Sequence, residues 1–200
     1  MMNTWLQSCM KFTKSTKSTL LHLNLLMAVW CLFPVPAVAG NPPTLDAKSA
    51  PADFTLHGAN KPGVFRLSKA KGSYVALHFL LKTECPFCMK HTHDYTEKAA
   101  TVPGVVHVFI KPDTQEDIAK WARPAGPDAA TIYRDPDARL ADAFGIPGGY
   151  QFHGQMVHFP ALVLLDPAGL EVFRHVGKSN SDRYSFESFA AKIAEIKRRR

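Results

Sequence analysis

Runs of consecutive apolar residues predict buried strands at intervals along the chain. Residues 74–81 (YVALHFLL), 105–110 (VVHVFI) and 161–165 (ALVLL) contain no breaker and have the length of strands covered on both faces. A turn at 166–169 (DPAG) separates the third run from residues 171–176, which are predicted to pair with it as a hairpin.

Helical patterns fill the segments between these strands. Helices are predicted at 86–99, 115–122 and 138–144, and a terminal amphipathic helix carries Phe186, Phe189, Ile193 and Ile196 at helical spacing. Short extended pieces at 52–56 and 129–134, and a Gly-rich aromatic loop at 145–158, complete the pattern. Strands that alternate with helices predict one α/β domain with a central sheet over residues 52–196.

The N-terminal segment has the three parts of a secretory signal peptide. Three lysines precede an apolar run at 20–33, and Ala-Val-Ala at 37–39 forms a cleavage site. The run is short for a membrane span, although an uncleaved anchor is the alternative. We therefore expect export to the periplasm or another extracytoplasmic space, with a Pro-rich linker at 40–51.

The net charge of +7 is confined to the two ends of the chain. The signal segment has three lysines and no acid, and residues 197–200 are all basic, so residues 40–196 are balanced. A balanced domain disfavours a nucleic-acid-binding face. Arg198, Arg199 and Arg200 in the basic tail allow at most weak contact with an anionic membrane.

Signal cleavage would leave two cysteines, Cys85 and Cys88, separated by Pro86 and Phe87. The motif lies between a predicted buried strand and a predicted helix, so Cys85 would occupy the helix N-terminus, where the helix dipole favours its thiolate. Cys85 would then attack a partner disulfide, and Cys88 would resolve the mixed disulfide. The disulfide itself is the redox centre, so no cofactor is expected.

Other residue types near this motif admit different interpretations. Lys82 and Glu84 are candidates for adjusting the thiol pKa. An inert disulfide is one alternative, and a copper or zinc site that uses Cys85, Cys88 and His91, with His93 nearby, is another. The metal alternative would make the protein a metallochaperone.

Several motifs resemble the thioredoxin-like superfamily, and within it the redoxin (AhpC/TSA) and TlpA/ResA-like thiol-disulfide proteins. The matching segments are APADFTL at 50–56, FRLS at 65–68 followed by Gly72, the CPFC motif, and PALVLLD at 160–166 followed by Gly169. The resemblance implies a thioredoxin-like fold with a central mixed sheet flanked by helices. It also implies an insertion between the CxxC helix and the strand that begins at Pro160.

In that family the proline that opens the late strand is cis and lies beside the redox disulfide. The resemblance therefore implies that Phe159 and Pro160, together with Pro86 and Phe87, shape a groove for substrate. Implied partners are exported proteins with thiols or disulfides and a redox donor or acceptor. The direction of electron flow stays open.

Three positions depart from relatives of this kind. Phe79 stands where thioredoxin has a buried acid, six residues before the first cysteine. The peroxiredoxin signature P-x-x-x-T-x-x-C would require Pro and Thr where this chain has His78 and Lys82. Despite these departures, the redoxin resemblance keeps a thiol peroxidase as the alternative to a thiol-disulfide oxidoreductase.

Overall fold

The computed structural model describes residues 52–82, 84–126, 129–152 and 155–199. The predicted signal peptide at 1–39, the predicted linker at 40–51 and Arg200 lie outside the described residues. Within the described ranges, no helix has the length and apolar character needed to cross a membrane.

The described residues form nine strands and four α-helices. The strands are β1 (Thr55–Gly58), β2 (Val64–Arg66), β3 (Tyr74–Phe79), β4 (Val105–Lys111), β5 (Ile132–Arg134), β6 (Gly148–Phe152), β7 (Gln155–His158), β8 (Ala161–Leu165) and β9 (Glu171–Val176). The helices are α1 (Pro86–Lys98), α2 (Gln115–Ala122), α3 (Arg139–Ala143) and α4 (Phe186–Arg198).

Seven strands build one mixed sheet in the order β2-β1-β5-β4-β3-β8-β9, and β6 pairs with β7 as a separate hairpin. Strands β3, β4 and β5 are parallel, whereas β8 runs antiparallel to β3 and to β9. The strand β3 lies near the centre, with all six residues buried, as its apolar run predicts. Its carboxyl end leads directly to the cysteine pair.

Each face of the sheet is covered by its own core. Alternation along β3 sends Ala76 to the face packed by α1, α2 and α4, and sends Val75 and Leu77 to the face packed by α3. The face packed by α1, α2 and α4 also carries both cysteines. The cysteine pair therefore belongs to a packed core and has a rigid support.

Local sequence explains where the helices begin. The side chains of Thr114 and Ser185 accept hydrogen bonds from backbone N–H groups in the first turns of α2 and α4, as N-cap residues do. Helix α2 spans the predicted residues, and α1 and α4 match their predictions to within a few residues. The fold is thus the expected α/β fold with a central mixed sheet.

The main difference from prediction lies between α3 and β8. The predicted loop at 145–158 contains the hairpin of β6 and β7. Gly149 allows this hairpin to pack closely, since a Cβ there would lie 2.9 Å from Cδ1 of Phe159. The alternation of polar and apolar residues after Gly149 is the strand signal that the glycines obscured. The chain between α1 and β8 also includes β4, α2, β5 and α3.

Candidate active site

The first turn of α1 holds the cysteine pair. Cys85 is the N-cap residue, and its Sγ accepts a hydrogen bond of 3.2 Å from the backbone N–H of Cys88. Pro86 occupies the first helical turn, where its missing N–H leaves no bond unmade. The two free thiols therefore lie one turn apart at the positive end of the helix dipole.

The two sulfurs differ in their surroundings. Cys88 is fully buried, and its Sγ accepts a hydrogen bond of 3.4 Å from the backbone N–H of Leu81. Cys85 retains 6% of its surface, and the side chain of Phe87 beside it is 47% exposed. A partner molecule can therefore approach Cys85, whereas burial shields Cys88 from direct contact.

A cation from a distant part of the chain contacts both sulfurs. The Nη2 of Arg183, in the segment between β9 and α4, lies 3.2 Å from Sγ of Cys88 and 3.5 Å from Sγ of Cys85. Its Nη1 donates to the backbone oxygen of Asp182. The guanidinium is therefore held against the pair, where it stabilises negative charge on sulfur.

A buried ion pair lies close to the same turn. Lys111, at the end of β4, is 1% exposed and lies 3.0 Å from the carboxylate of Asp113, which is 3% exposed. The Lys111 ammonium also donates to the backbone oxygen of Leu81 at 2.6 Å. Since the N–H of Leu81 contacts Cys88, this ion pair supports the backbone that holds the Cys88 sulfur.

These contacts move the two thiol pKa values in opposite directions. The pKa of Cys85 is lowered to about 6. The largest cause is a hydrogen bond from the Cys88 side chain, and the Cys88 backbone N–H, Arg183 and Lys111 contribute in the same direction. The pKa of Cys88 is raised well above its usual value, mainly by burial and secondly by its hydrogen bond with the Cys85 side chain. The lowered pKa favours the thiolate of Cys85, and the raised pKa favours the protonated thiol of Cys88.

The other predicted site residues lie near the carboxyl end of β3, where Phe79 pairs with Ala161 of β8. Phe159 and Lys82 line a cavity of about 420 Å³ at the carboxyl ends of β3 and β4. Pro160 is buried and Glu84 is exposed. The charges that lower the Cys85 pKa include Arg183 and Lys111, which sequence reasoning did not identify.

The expectation of a cis peptide bond before Pro160 is wrong, because the described residues include no cis peptide bond. Hydrogen bonds on both sides hold this segment in place. The N–H of Phe159 donates to the oxygen of Pro147 at 3.0 Å, and the oxygen of Pro160 accepts from Gly177 at 2.8 Å. Pro160 still opens the strand β8, as predicted.

The two histidines proposed as metal ligands have different surroundings. His91 is buried, and its Nε2 lies 2.9 Å from Nδ1 of His78, whereas His93 is exposed and pairs with Glu97. Over the described ranges, no group of three or more His, Cys, Asp or Glu is placed to hold a metal ion. The structure therefore does not support the metallochaperone alternative.

Sequence signals existed for some of the missed residues. A lysine that ends an apolar strand, with an acid two residues later, is the signal for Lys111 and Asp113. A histidine inside each of two neighbouring apolar runs is the signal for His78 and His107. Arg183 has no such signal, because it lies in a polar segment 95 residues from Cys88.

Solved structures with this fold come from both branches of the resemblance. One is the putative thiol:disulfide interchange protein DsbE from Chlorobium tepidum, at 25% identity, 76% coverage of this chain, 98% of that chain and a TM-score of 0.58. The pneumococcal exposed lipoprotein thioredoxin Etrx1 from Streptococcus pneumoniae has 21% identity, coverages of 72% and 99%, and a TM-score of 0.57. Peroxiredoxin Q from Xanthomonas campestris has 18% identity, coverages of 76% and 94%, and a TM-score of 0.57.

No curated protein matches the sequence significantly. The model of the AhpC/TSA family, in contrast, matches residues 47–170, which is more than half of the chain. The matched region includes the CPFC motif and the strand that begins after Pro160. The chain therefore belongs to the AhpC/TSA family.

Proposed function

We propose that this protein is an exported thiol-disulfide oxidoreductase that exchanges disulfides with protein substrates through Cys85 and Cys88. The observation that carries the proposal is the geometry of the pair: two free thiols lie one helical turn apart at a helix N-terminus, and Nη2 of Arg183 lies 3.2 Å and 3.5 Å from their sulfurs. An inert structural pair would require neither the exposed side chain of Phe87 next to Cys85 nor the guanidinium of Arg183 in contact with the Cys85 sulfur.

The reaction follows from this geometry. The Cys85 thiolate attacks one sulfur of a substrate disulfide, which forms a mixed disulfide and releases the other substrate sulfur as a thiolate. Cys88 then loses its proton and attacks Sγ of Cys85. This step forms the Cys85–Cys88 disulfide and releases the second substrate thiol, so two electrons pass from the protein to the substrate. The reverse sequence oxidises substrate thiols.

A second candidate is a thiol peroxidase, and one observation favours it. The Nε of Arg183 is buried and has no hydrogen-bond partner among the described residues, so one donor remains beside the sulfurs to hold a peroxide oxygen. Against it stand His78 and Lys82, which replace the Pro and Thr of the peroxiredoxin signature. We therefore place disulfide exchange first.

Trapping with serine variants tests the proposal. Cys88→Ser should accumulate a covalent adduct with insulin, used as a model protein disulfide, and dithiothreitol should release it. Cys85→Ser should form no adduct. Full exchange activity in Cys85→Ser would overturn the assignment. Rapid consumption of hydrogen peroxide by the wild type, with sulfenic acid at Cys85, would favour the peroxidase instead.

A separate experiment tests the cellular location. We propose that the segment 1–39 directs export and that the mature chain begins near Gly40. The N-terminal sequence of the protein recovered from a periplasmic extract should then begin near that residue. A protein retained in the cytoplasm with its first residues intact would contradict this part of the proposal.

A further inference from the structure

Three histidines form a continuous chain of hydrogen bonds beneath the redox pair. The Nε2 of His91 lies 2.9 Å from Nδ1 of His78, and Nε2 of His78 lies 3.0 Å from Nδ1 of His107. His78 is fully buried in β3, and His91 retains 7% of its surface. His107 belongs to the half-buried start of β4. The reaction described above uses none of these rings.

The number of protons on the three histidines allows a proton to pass from one end of the hydrogen-bonded chain to the other. Three neutral imidazoles carry three N–H protons, and the two ring-to-ring bonds hold two of them. The third proton must lie at one end of the chain, on Nδ1 of His91 or on Nε2 of His107. If a proton enters at one end, each ring can pass its own proton to the next, and a proton leaves at the other end. No bond between the rings is lost in this transfer.

The two ends of the chain lie in different places. His91 is three residues after Cys88 and both are buried on α1, so the two residues lie about one turn apart on the same face of the helix. At the other end, Nε2 of His107 is buried and has no hydrogen-bond partner among the described residues. The chain therefore joins the vicinity of the resolving thiol to an unsatisfied nitrogen on β4.

The groups around Cys88 leave few other proton acceptors. Arg183 and Lys111 act on the Cys88 sulfur, and both are cations that cannot take a proton. Asp113 is already paired with Lys111. Because the pKa of Cys88 is raised, its attack on the mixed disulfide needs an acceptor for its proton.

On the basis of the proposed function, we propose that His91, His78 and His107 form a proton relay for Cys88. When Cys88 attacks the mixed disulfide, its proton enters at Nδ1 of His91, the three rings shift their protons by one place, and Nε2 of His107 passes a proton to a water molecule that reaches the half-buried start of β4. When the Cys85–Cys88 disulfide is later reduced, Cys88 departs as a thiolate and the same path returns a proton to it. The rings are carriers, and each ends the cycle as it began.

The electrostatic surroundings keep the relay neutral between transfers. Burial lowers the pKa of His78 well below its usual value and that of His107 to about 4. For His91, burial and then Arg183 lower the pKa to about 3, with a smaller effect of His175 and an opposing effect of Asp94. Tyr95, packed against all three rings, donates its hydroxyl to the backbone oxygens of residues 184 and 185. It therefore does not occupy a ring nitrogen.

The test separates the two chemical steps in one reaction. An aromatic disulfide reagent whose released thiol absorbs visible light gives a first release when Cys85 attacks and a second when Cys88 resolves the adduct. In His107→Gln the amide can still bond to His78 but cannot transfer a proton. The variant should slow the second release by about tenfold or more and leave the first unchanged. His93→Gln, an exposed histidine on the same helix, should change neither release.

Isotope and rescue measurements exclude a purely structural effect. In the wild type, the second release should be slower in D₂O, with a bowed dependence on the deuterium fraction because several protons move together. Added imidazole should restore part of the second release in His107→Ala. An unchanged second release in folded His107→Gln, or a linear dependence on deuterium, would overturn the relay. Absence of the first release would instead overturn the proposed function.

Discussion

Arg183 lies 3.2 Å from the sulfur of Cys88, although 95 residues separate the two along the chain. The same guanidinium nitrogen lies 3.5 Å from the sulfur of Cys85. One cation therefore acts on both members of the redox pair. It favours the reduced form, in which one sulfur carries a negative charge, over the neutral disulfide.

Removal of this cation should raise the pKa of Cys85. In Arg183→Met, the pKa of the Cys85 thiol should rise by about one unit, since a charge in direct contact is lost. The ultraviolet absorbance of the thiolate, followed against pH, gives this value. Arg139→Met serves as a control, because Arg139 is exposed and its ion pair with Asp137 has a distance of 3.6 Å. Equal thiol pKa values in both variants would show that Arg183 is not an important stabiliser of the thiolate.

The buried pair of Lys111 and Asp113 should be costly to break on one side. Lys111→Met removes the cation 3.0 Å from the buried Asp113 carboxylate and the donor to the oxygen of Leu81, so the free energy of unfolding should fall by about 3–5 kcal/mol. The double variant Lys111→Met/Asp113→Leu should recover much of this loss. Urea unfolding of both variants measures the difference. A double variant as unstable as the single one would contradict this explanation.

The buried histidines should make the fold sensitive to acid. In the folded state the pKa values of His91 and His107 are about 3 and 4, and that of His78 is also lowered, mainly because burial disfavours the charged ring. Below about pH 6.5 the unfolded chain therefore binds more protons than the folded one, and stability falls as the pH falls. Between pH 6.5 and 5, each such histidine should remove up to about 2 kcal/mol from the free energy of unfolding.

Urea unfolding at pH 7 and pH 5 measures this effect. The background should be Cys85→Ser, so that titration of that thiol does not contribute. His107→Phe, which replaces one end of the chain with a ring that does not titrate, should reduce the difference between the two pH values. His93→Gln should leave the difference unchanged. Equal stability at pH 7 and pH 5 would show that the histidines are not neutral and buried.

Gly177 should be sensitive to substitution because of its close contacts. A Cβ at this position would lie 2.5 Å from the backbone oxygen of Asp182 and 2.8 Å from Cγ of Pro160. Gly177→Ala should therefore cost about 1–3 kcal/mol of stability. It should also displace the segment that carries Arg183 and raise the Cys85 pKa. Gly63→Ala, whose nearest contact is a methyl group 3.3 Å away, is the control.

Local signals in the sequence predicted most of the fold. The strands β3 and β4 are continuous apolar runs, and the helices α1 and α2 are bounded by Pro86 and by the Thr114 cap, so short-range patterns define them. The hairpin of β6 and β7 differs from the predicted loop, because its glycines have the composition of a turn. The trans bond before Pro160 departed from an expectation that rested on resemblance alone.

The cysteine pair was also predictable, but its electrostatic partners were less so. The C-x-x-C spacing after a buried strand is a local pattern, and it identified Cys85 and Cys88 directly. The contact with Arg183 depends on how β9 and the following segment return to the first turn of α1. No periodicity in the sequence encodes such a contact, because it arises from the tertiary fold. The histidine chain likewise depends on the pairing of β3 with β4.

The midpoint potential of the Cys85–Cys88 couple tests the central claim most directly. The mature domain would be equilibrated with glutathione buffers and the fraction of disulfide measured. A Cys85 pKa of about 6 lies between those of thioredoxin, about 7, and of the strong oxidant DsbA, about 3.5. We therefore predict a two-electron couple with a midpoint between about −270 and −120 mV. A pair that stays reduced at every glutathione ratio, without forming its disulfide, would contradict the account.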